Sequence, residues 1–349
     1  MELRSKEAVL ADINRDLPPL DWRGGAQRYL ADYFDRYSRD QIEDFVFNKP
    51  LGALTPEDPV GSLRETVFYL FNFANAVQLL QLERGARVLD VACGGGWFAH
   101  WLRKIGCEAH GLDLSADFVD LARRRLVDDP YLACGPDEAA ALFRVHDIER
   151  DPLPANLHGA FDVIVLESCL HHFFDPIAAM THLAEGLAEG GVVLVIEGEN
   201  RRGAIRDEYM QVMLETSTLE RPYPRELLLE VLQHAGLEHV EFLGLTPGFV
   251  PQSAPVARQM SLALEESTAG SNICLCARDE TAIRRLAPSY GIAPEPEPQP
   301  EPQHVPKRAP ILTRLVLSAA GLVRDAAPGW MRPALRAVWR RSLLPRTPA

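Results

Sequence analysis

Glycines and carboxylates between residues 87 and 115 have the types and the spacing of a nucleoside-binding site. The apolar run 88–91 predicts a buried strand that contains Asp90, and a triplet of glycines follows closely, beginning at Gly94. Such a turn at the start of a helix exposes bare backbone N–H groups to a ligand. Asp113 ends a second short strand about 20 residues further on, where a carboxylate can accept hydrogen bonds from ribose hydroxyls.

Two classes of nucleoside fit this stretch. Gly94, Gly96 and Ala99 have the spacing of a dinucleotide fingerprint, which is a weak signal by itself. Asp90, however, lies inside the strand, and the pattern Asp90-x-Ala92-x-Gly94-x-Gly96 resembles motif I of the class I, Rossmann-like methyltransferases that use S-adenosylmethionine (SAM). Alanine stands at position 92 where glycine is commonest in that family, and we expect the added methyl group to be tolerated.

The resemblance continues over about residues 65–280 and implies where the cofactor is held. Asp147, after the third strand, matches the acid that accepts a hydrogen bond from the adenine amino group in this family. Glu167, after the fourth strand, is placed to contact either the methionine part of the cofactor or the acceptor. The implied cofactor-binding residues are Asp90, Ala92, Cys93, Gly94, Gly96, Asp113, Leu114, Asp147, Ile148 and Glu167.

The segment after the fourth strand carries the residues best suited to catalysis. Its Leu-His-His-Phe-x-Asp-Pro sequence, which contains His171 and His172, resembles that of the small-molecule group of the family. A hydroxyl acceptor needs a general base near the methyl group, and histidine titrates near neutral pH. Adjacent residues of an extended loop point to opposite sides, so we expect one histidine to face the cavity, and we favour His172 over His171. No metal-ligand spacing stands out, and we expect no metal.

These motifs predict an enzyme, a SAM-dependent methyltransferase with SAM as its cofactor. We expect methyl transfer to a small acceptor or to one linked to a carrier, a lipid or a glycan, at oxygen and with a histidine general base. C- or N-methylation of a soluble metabolite is the alternative among enzymes. A non-catalytic scaffold that keeps the fold and docks through its basic tail is the alternative from another class.

The alternation of strands and helices predicts an α/β fold, a doubly wound and mostly parallel seven-stranded Rossmann-like sheet with helices on both faces. The resemblance adds that the last strand runs antiparallel. Residues 1–62 predict an N-terminal helical cap and 63–290 the methyltransferase domain. Residues 291–310 are rich in proline and predict a semi-rigid linker, and 311–349 predict a basic amphipathic helical tail. Residues 127–141 contain proline and glycine and are expected to form a loop.

Charge is unevenly distributed along the 349 residues, of which 47% are hydrophobic. The net charge is −13, but residues 305–349 contain nine Lys or Arg and one acid, so this tail carries +8 and the rest of the chain −21. The tail suits peripheral association with an anionic membrane. Packing of the tail on the protein's own body or on a partner subunit is the alternative, and no nucleic-acid partner is expected.

The cysteines and the apolar segments of the chain indicate its cellular compartment. The six cysteines lack C-x-x-C spacing, and we expect them to be reduced and buried. The first residues have no apolar h-region, and no stretch reaches the roughly 18 apolar residues of a membrane span. We therefore expect a cytoplasmic protein that can be peripheral on the inner membrane surface.

Overall fold

The architecture comes from a computed structural model of the chain. It describes residues 3–34, 46–47, 49–51, 59–199, 205–243 and 271–286. All of these residues belong to one compact unit, Met1–Pro294. The proposed linker (291–310) and the proposed tail helices (311–349) lie outside the described residues, and the expectations for them stay predictions.

A single mixed sheet forms the centre of the described part of the chain. Its strands are β1 (Arg87–Val91), β2 (Glu108–Asp113), β3 (Phe143–Val145), β4 (Phe161–Glu167), β5 (Leu187–Glu199), β6 (His239–Leu243) and β7 (Ser271–Ala277). Their order across the sheet is β3-β2-β1-β4-β5-β7-β6. Neighbouring strands from β3 to β5 pair in parallel, and β7 lies antiparallel between β5 and β6. The predicted seven-stranded, mostly parallel sheet with an antiparallel last strand is confirmed.

Helices cover both faces of this sheet, as expected. The described helices are α1 (Lys6–Ile13), α2 (Trp22–Phe34), α3 (Pro59–Leu79), α4 (Trp97–Lys104), α5 (Ala116–Asp128), α6 (Pro136–Leu142), α7 (Pro176–Glu185), α8 (Asp207–Thr216), α9 (Arg225–His234) and α10 (Glu280–Arg284). Successive side chains of a strand point to opposite faces. Leu89 and Val91 of β1 accordingly join one core with α7 and α9, whereas Val88 joins the other core with α3, α4 and α5.

One expected loop contains a helix. Residues 127–141 were expected to form a loop, and that expectation is wrong where α6 begins, directly after Gly135. The first residue of α6 is a proline, which is favourable there because the first helical N–H has no partner within the helix. Ala139 and Leu142 of α6 are buried in the core beside α5. The Gly-Pro pair therefore starts a helix in this chain.

The two N-terminal helices pack onto the same unit. Val9 and Ile13 of α1 are buried in the core that α7 and α9 line. Arg4, just before α1, donates two hydrogen bonds, of 3.1 and 2.9 Å, to the carboxylate of Glu230 in α9. Helix α2 contacts α5 and α8. Helix α2 therefore lies beside the segments that follow β2 and β5.

The remaining features are the state of the cysteines and the hydropathy of the helices. All six cysteines are free thiols with buried side chains, which confirms that prediction. Within the described part of the chain, no helix has the length and the apolar character needed to cross a bilayer.

Candidate active site

The carboxyl ends of four neighbouring strands bring the predicted cofactor residues to one edge of the sheet. The chain order reverses between β1 and β4, and doubly wound sheets bind ligands beyond the strand ends at such a point. Asp90 lies in β1 and Asp113 ends β2. Asp147 closely follows β3, and Glu167 ends β4. Four acids that are far apart in the sequence therefore lie at one edge of the sheet.

The carboxylate of Asp113 fixes the glycine turn that follows β1. Its Oδ2 accepts a hydrogen bond of 2.8 Å from the Gly94 amide, and its Oδ1 accepts one of 2.8 Å from the Ser115 amide. Burial raises the pKa of Asp113 to about 6, although the amides of Ser115, Gly94 and Leu114 act to lower it. Each carboxylate oxygen has a second lone pair, so the group can also accept hydrogen bonds from a ligand.

The turn requires glycine at two positions. Gly94 and Gly96 have φ of +51° and +70°, in the left-handed region that favours glycine. A Cβ on Gly96 would lie 2.7 Å from the Cβ of Ala122, which leaves no room for it. A Cβ on Gly94 would meet, among the described residues, only Phe118 at 4.0 Å, so the space beside it is open to a ligand. Cys93 lies next to this turn, and burial raises the pKa of its thiol.

Ala92, where the family most often has glycine, also has a left-handed backbone, with φ of +49°. The expectation that a methyl group is tolerated there considered only its volume. The cost at this position lies in the backbone, because a left-handed conformation disfavours an L-residue with a Cβ by about 1–2 kcal/mol. Alanine instead of glycine at position 92 therefore lowers the stability of the fold. The end of β1 and the glycine turn keep their geometry.

Asp90 ties strand β1 to the start of α4. Its Oδ2 accepts a hydrogen bond of 3.1 Å from the amide of Ala99, in the first turn of the helix. Burial raises the pKa of Asp90 to about 8; the Ala99 amide opposes this rise, and the charges of Glu167 and Asp113 add to it. A helix begins with N–H groups that lack partners in the helix, so a side chain that accepts from one of them holds the turn in place.

Asp147, the acid expected beside the adenine, is paired with the N-terminal cap. Arg23 of α2 donates from Nε to Asp147 Oδ2, and the Asp147 side chain is only 8% exposed. The next residue, Ile148, is buried, and its carbonyl accepts a hydrogen bond of 2.7 Å from His182 Nδ1 of α7. An ionised carboxylate has about four acceptor sites, so Asp147 can serve both the arginine and a ligand.

Glu167 lies at the end of β4 beside groups from the segment before β1. Burial raises the pKa of Glu167, whereas the charge of Lys49 and the neighbouring Asn72 side chain act to lower it. The Asn72 side chain is buried beside this carboxyl, and its amide can donate to it. A buried amide normally has a partner, and for Asn72 the nearby acceptor is Glu167.

His171 is held by a glutamate from the next strand. Its Nδ1 lies 2.6 Å from Glu197 Oε1, and its backbone amide donates to Glu197 Oε2 over 3.2 Å. Burial acts to lower the pKa of His171, but the charge and the hydrogen bond of Glu197 raise it above its ordinary value. Burial likewise acts to raise the pKa of Glu197, yet His171 holds it below its usual range.

His172 lies beside His171 instead of pointing away from it. The two rings are 4.0 Å apart between centroids, and the Glu220 carboxylate lies 3.5 Å from His171 Nε2 and 3.9 Å from His172 Nδ1. The expectation that the two histidines face opposite sides is wrong, because Leu170–His172 forms a 3-10 turn instead of an extended loop. His172 Nδ1 lies 2.6 Å from the carbonyl oxygen of Leu219, to which it donates.

Several residues at this edge were not singled out from the sequence. Glu197 carried a usable signal, because it ends the predicted fifth strand and so belongs at the same sheet edge. The others come from segments without a motif, and only the fold brings them here. The residues missed are Arg23, Asn72, Glu197 and Glu220.

The groups at this edge fit SAM as a ligand. Asp113 has lone pairs for ribose hydroxyls beside an open glycine turn, and Asp147 lies where the adenine is expected. The amide of Asn72 lies beside Glu167, the residue expected beside the methionine part. These groups supply hydrogen-bond acceptors at the nucleoside end and a donor at the amino-acid end.

Comparison with known proteins gives the family. A family model described as a methyltransferase domain matches residues 64–241, which is more than half of the chain. A curated relative, ubiquinone biosynthesis O-methyltransferase of Xanthomonas campestris pv. campestris (strain B100), is 31% identical over 111 residues, covering 32% of this chain and 42% of the relative. Its namesake from Xanthomonas oryzae pv. oryzae (strain PXO99A) is 32% identical over 107 residues, covering 31% and 41%. The match thus spans about two fifths of the length of these relatives.

Two solved structures are similar to the chain at low sequence identity. A geranyl diphosphate methyltransferase in complex with GPP and sinefungin has a TM-score of 0.50 at 15% identity, with coverage of 73% of this chain and 98% of that one. Phosphoethanolamine N-methyltransferase 2 of Haemonchus contortus has a TM-score of 0.46 at 18% identity, with coverage of 74% and 60%. At this identity the likeness concerns the fold alone.

The family match covers the part of the chain that contains the glycine turn, the strand-end acids and the histidine pair. The sheet order and the geometry of the turn agree with the fold and the cofactor that motif I implied. The chain therefore belongs to the methyltransferase-domain family, and it is a class I, SAM-dependent methyltransferase.

Proposed function

We propose that the protein transfers the methyl group of SAM to a hydroxyl oxygen of a small-molecule or carrier-linked acceptor. The observation that carries this proposal is the 2.6 Å hydrogen bond between His171 Nδ1 and Glu197 Oε1, at the sheet edge where the cofactor acids lie. The name of the Xanthomonas relatives, ubiquinone biosynthesis O-methyltransferase, supports oxygen as the nucleophile. Bound SAM supplies the electrophilic methyl group, so the chain has to orient the acceptor and remove its proton.

His171 is the group best placed to take that proton. A hydroxyl keeps its proton near neutral pH and becomes a good nucleophile only when a base accepts the proton during transfer. Because Nδ1 of His171 donates to Glu197, the lone pair of the imidazole is on Nε2. The negative charge of Glu197 then stabilises the imidazolium that forms, as the carboxylate does in a Ser-His-Asp triad.

His172 is less suited to this role, although the sequence alone favoured it. Burial and the charge of His171 lower the pKa of His172 to about 3, even though its bond to the Leu219 carbonyl acts in the opposite direction. A base with so low a pKa accepts a proton poorly at neutral pH. We therefore assign the general base to His171 and a role in lining the acceptor site to His172.

The test replaces the carboxylate that orients His171. Glu197→Gln keeps the shape of the side chain and removes its charge, so we expect methyl transfer to a hydroxyl acceptor to slow by roughly 100-fold, at the lower end of what a general base contributes. The dissociation constant of SAM should stay within about threefold of its original value. SAM with a deuterated methyl group, incubated with a panel of hydroxyl, amine and carbon acceptors, identifies the methylated atom by mass spectrometry.

Glu185→Gln is the matched control, because Glu185 faces His158 over 3.6 Å in a more exposed pair away from the site. Wild-type rates in Glu197→Gln would remove His171 as the base. Methyl groups found on nitrogen or carbon would favour the alternative of N- or C-methylation. Failure to bind SAM at all would favour a non-catalytic scaffold.

We infer further that the protein acts in the cytoplasm, with residues 311–349 holding it peripherally to the inner membrane surface. The charge of +8 on residues 305–349 and the amphipathic pattern of the tail support this inference. An acceptor linked to a lipid or a glycan would be presented at that surface. The tail would then raise the local concentration of acceptor near the His171 site.

A further inference from the structure

Three side chains at the acceptor side of the site are spaced as metal ligands. The ligand atoms that His171, His172 and Glu220 offer all lie within 4.8 Å of one another. The three side chains are 16%, 31% and 21% exposed, so the cluster is shielded but reachable from solvent. No sequence pattern marks this cluster, because Glu220 is far along the chain from the histidine pair and lies in a segment without a motif.

The atoms around the cluster fix the orientation of both imidazoles. His171 Nδ1 donates to Glu197 Oε1 over 2.6 Å, and His172 Nδ1 donates to the Leu219 carbonyl over 2.6 Å. Metal-binding histidines characteristically donate one ring N–H to a carboxylate or a backbone carbonyl, which directs the lone pair of the other nitrogen to the metal. Both histidines have this arrangement, which leaves the lone pair of each neutral imidazole on Nε2.

The spacing also suits a single ion. His171 Nε2 lies 3.5 Å from Glu220 Oε2. Two ligands of a tetrahedral zinc ion, each bonded at about 2.1 Å, are about 3.4 Å apart. The His172 ring has its centroid 4.0 Å from that of His171, and its Nδ1 lies 3.9 Å from Glu220 Oε1, so this imidazole borders the same space.

Charge at the cluster attracts a cation. With both imidazoles neutral, the charged groups recorded near them among the described residues are the carboxylates of Glu197 and Glu220 and the guanidinium of Arg221. Its guanidinium donates to the Phe173 carbonyl and to Asn14. The cluster therefore keeps a net negative charge. Imidazole and carboxylate ligands together suit Zn²⁺, Co²⁺ or Ni²⁺ better than Mg²⁺ or Ca²⁺, which prefer oxygen alone.

We propose that Nε2 of His171, Nε2 of His172 and the Glu220 carboxylate bind one divalent transition-metal ion, and that this ion competes with the acceptor proton for His171. The competition rests on the proposed function, because both roles use the same lone pair. The binding itself does not rest on it. A bound ion keeps at least one position open for an acceptor or for water, since the chain supplies three ligands.

Direct binding tests the site without any acceptor. The full-length chain, without a polyhistidine tag and freed of metal with a chelator, is titrated with Zn²⁺ in a calorimeter. We expect one ion per chain, and Co²⁺ in its place should give the visible absorption of a cobalt ion with nitrogen and oxygen ligands. The six cysteine side chains are buried, away from added metal in the folded protein.

Two variants test a proposed metal ligand, Glu220, and a residue that orients a ligand, Glu197. Glu220→Gln should weaken Zn²⁺ binding more than about tenfold, and Glu197→Gln by about 10- to 100-fold through the orientation of His171. His158→Ala, which removes an exposed histidine with its own glutamate neighbour, should bind Zn²⁺ as the wild type does. Unchanged SAM binding in each variant shows that the fold is kept.

Metal binding and the competition between metal and proton at His171 are tested separately. No stoichiometric Zn²⁺ binding, or equal affinity in Glu220→Gln, would overturn the site even in an active enzyme. Binding with the expected variant pattern would support the site even if no hydroxyl acceptor is ever methylated. With an acceptor in hand, saturating Zn²⁺ should slow methyl transfer at least tenfold, and a faster rate would overturn the competition at His171.

Discussion

At the scale of the residue, Asp113 has two tasks that depend on each other. It accepts hydrogen bonds from the Gly94 and Ser115 amides, and it lies where the resemblance implies a ribose contact. Because the amides hold the carboxylate in one orientation, its remaining lone pairs point in fixed directions. A fixed acceptor loses little entropy when a ligand binds, which strengthens recognition of the nucleoside.

Asp113→Ala should therefore weaken SAM binding. A hydrogen bond to a charged group contributes about 1.5–3 kcal/mol, which corresponds to roughly 10- to 100-fold in the dissociation constant. Calorimetric titration with SAM measures the effect. Asp120→Ala, at an exposed aspartate of α5 that faces only Arg123 among its described ion-pair partners, is the control. If Asp113→Ala bound SAM as tightly as the wild type, the assignment of the nucleoside site would fail.

Ala92 shows a cost that side-chain volume does not reveal. Its φ of +49° lies in the left-handed region, where the Cβ is unfavourable. Glycine would remove that strain, but it would also give the unfolded chain more freedom. The two effects have opposite signs and similar sizes.

We predict that Ala92→Gly leaves the free energy of unfolding unchanged or raises it by up to about 1.6 kcal/mol. Relief of about 1–2 kcal/mol of strain is offset by about 0.4–1 kcal/mol from the unfolded state. Urea denaturation of the two proteins side by side measures the difference. Ala139→Gly in α6, a buried helical position, should instead be destabilising. A clear loss of stability in Ala92→Gly would contradict the strain argument.

At the scale of the element, Asp129 joins two helices on one face of the sheet. It directly follows α5 and accepts hydrogen bonds from His100 and Lys104 of α4, over 2.7 and 2.8 Å. Burial acts to raise the pKa of Asp129, but Lys104, the Tyr131 amide and His100 lower it to about 2. The carboxylate thus stabilises the packing of α4, the helix that begins at the glycine turn.

This link predicts how stability depends on pH. A carboxyl whose pKa is about 2 in the folded state and about 3.9 in the unfolded state stabilises the fold fully above about pH 4. That contribution is lost as the pH falls from about 4 towards 2. Asp129→Asn should lower the melting temperature near neutral pH and lessen its decline in this acid range. Equal slopes for variant and wild type between pH 4 and 2 would contradict the role of Asp129.

Helix α2 shows what an element contributes when it carries no recognisable motif. It places Arg23 on Asp147, and Tyr29 packs against Phe118 with the ring centroids 5.9 Å apart. Phe118 in turn lies nearest the open side of Gly94. The N-terminal cap therefore reaches both the acid expected near adenine and the wall beside the glycine turn.

At the scale of the whole molecule, charge divides the chain into an acidic body and a basic tail. Residues 305–349 carry +8, whereas the rest carries −21. Attraction between the tail and an anionic surface weakens as salt screens it, and repulsion of the body from the same surface is screened as well. Membrane association should therefore depend on the tail and on ionic strength.

We predict that the full-length chain sediments with vesicles of phosphatidylcholine and phosphatidylglycerol at low salt, and that a chain ending at Pro294 does not. The shorter chain contains every described residue, so it should still bind SAM. Vesicles of phosphatidylcholine alone are the control for charge. Equal sedimentation of the two chains would remove the membrane hypothesis and favour a tail that packs on protein.

The sequence by itself determined the fold class, the cofactor and the position of the histidine pair. These depend on local requirements: glycine where φ is positive, an acid at a strand end, and alternating strands and helices. Gly94, Gly96 and Asp113 meet such requirements within a short stretch, so a sequence pattern was enough to find them. The helix α6 shows the limit, because the same Gly-Pro pair can end one element or begin another.

Only the tertiary structure decided which groups face the two imidazoles. Glu197 is 26 residues from His171, and Glu220 comes from a segment that no motif marks. Their meeting depends on β5 lying beside β4 and on Leu219 and Glu220 packing beside the two histidines. Contacts of this kind are set by the packing of whole elements, and no local spacing in the sequence encodes them.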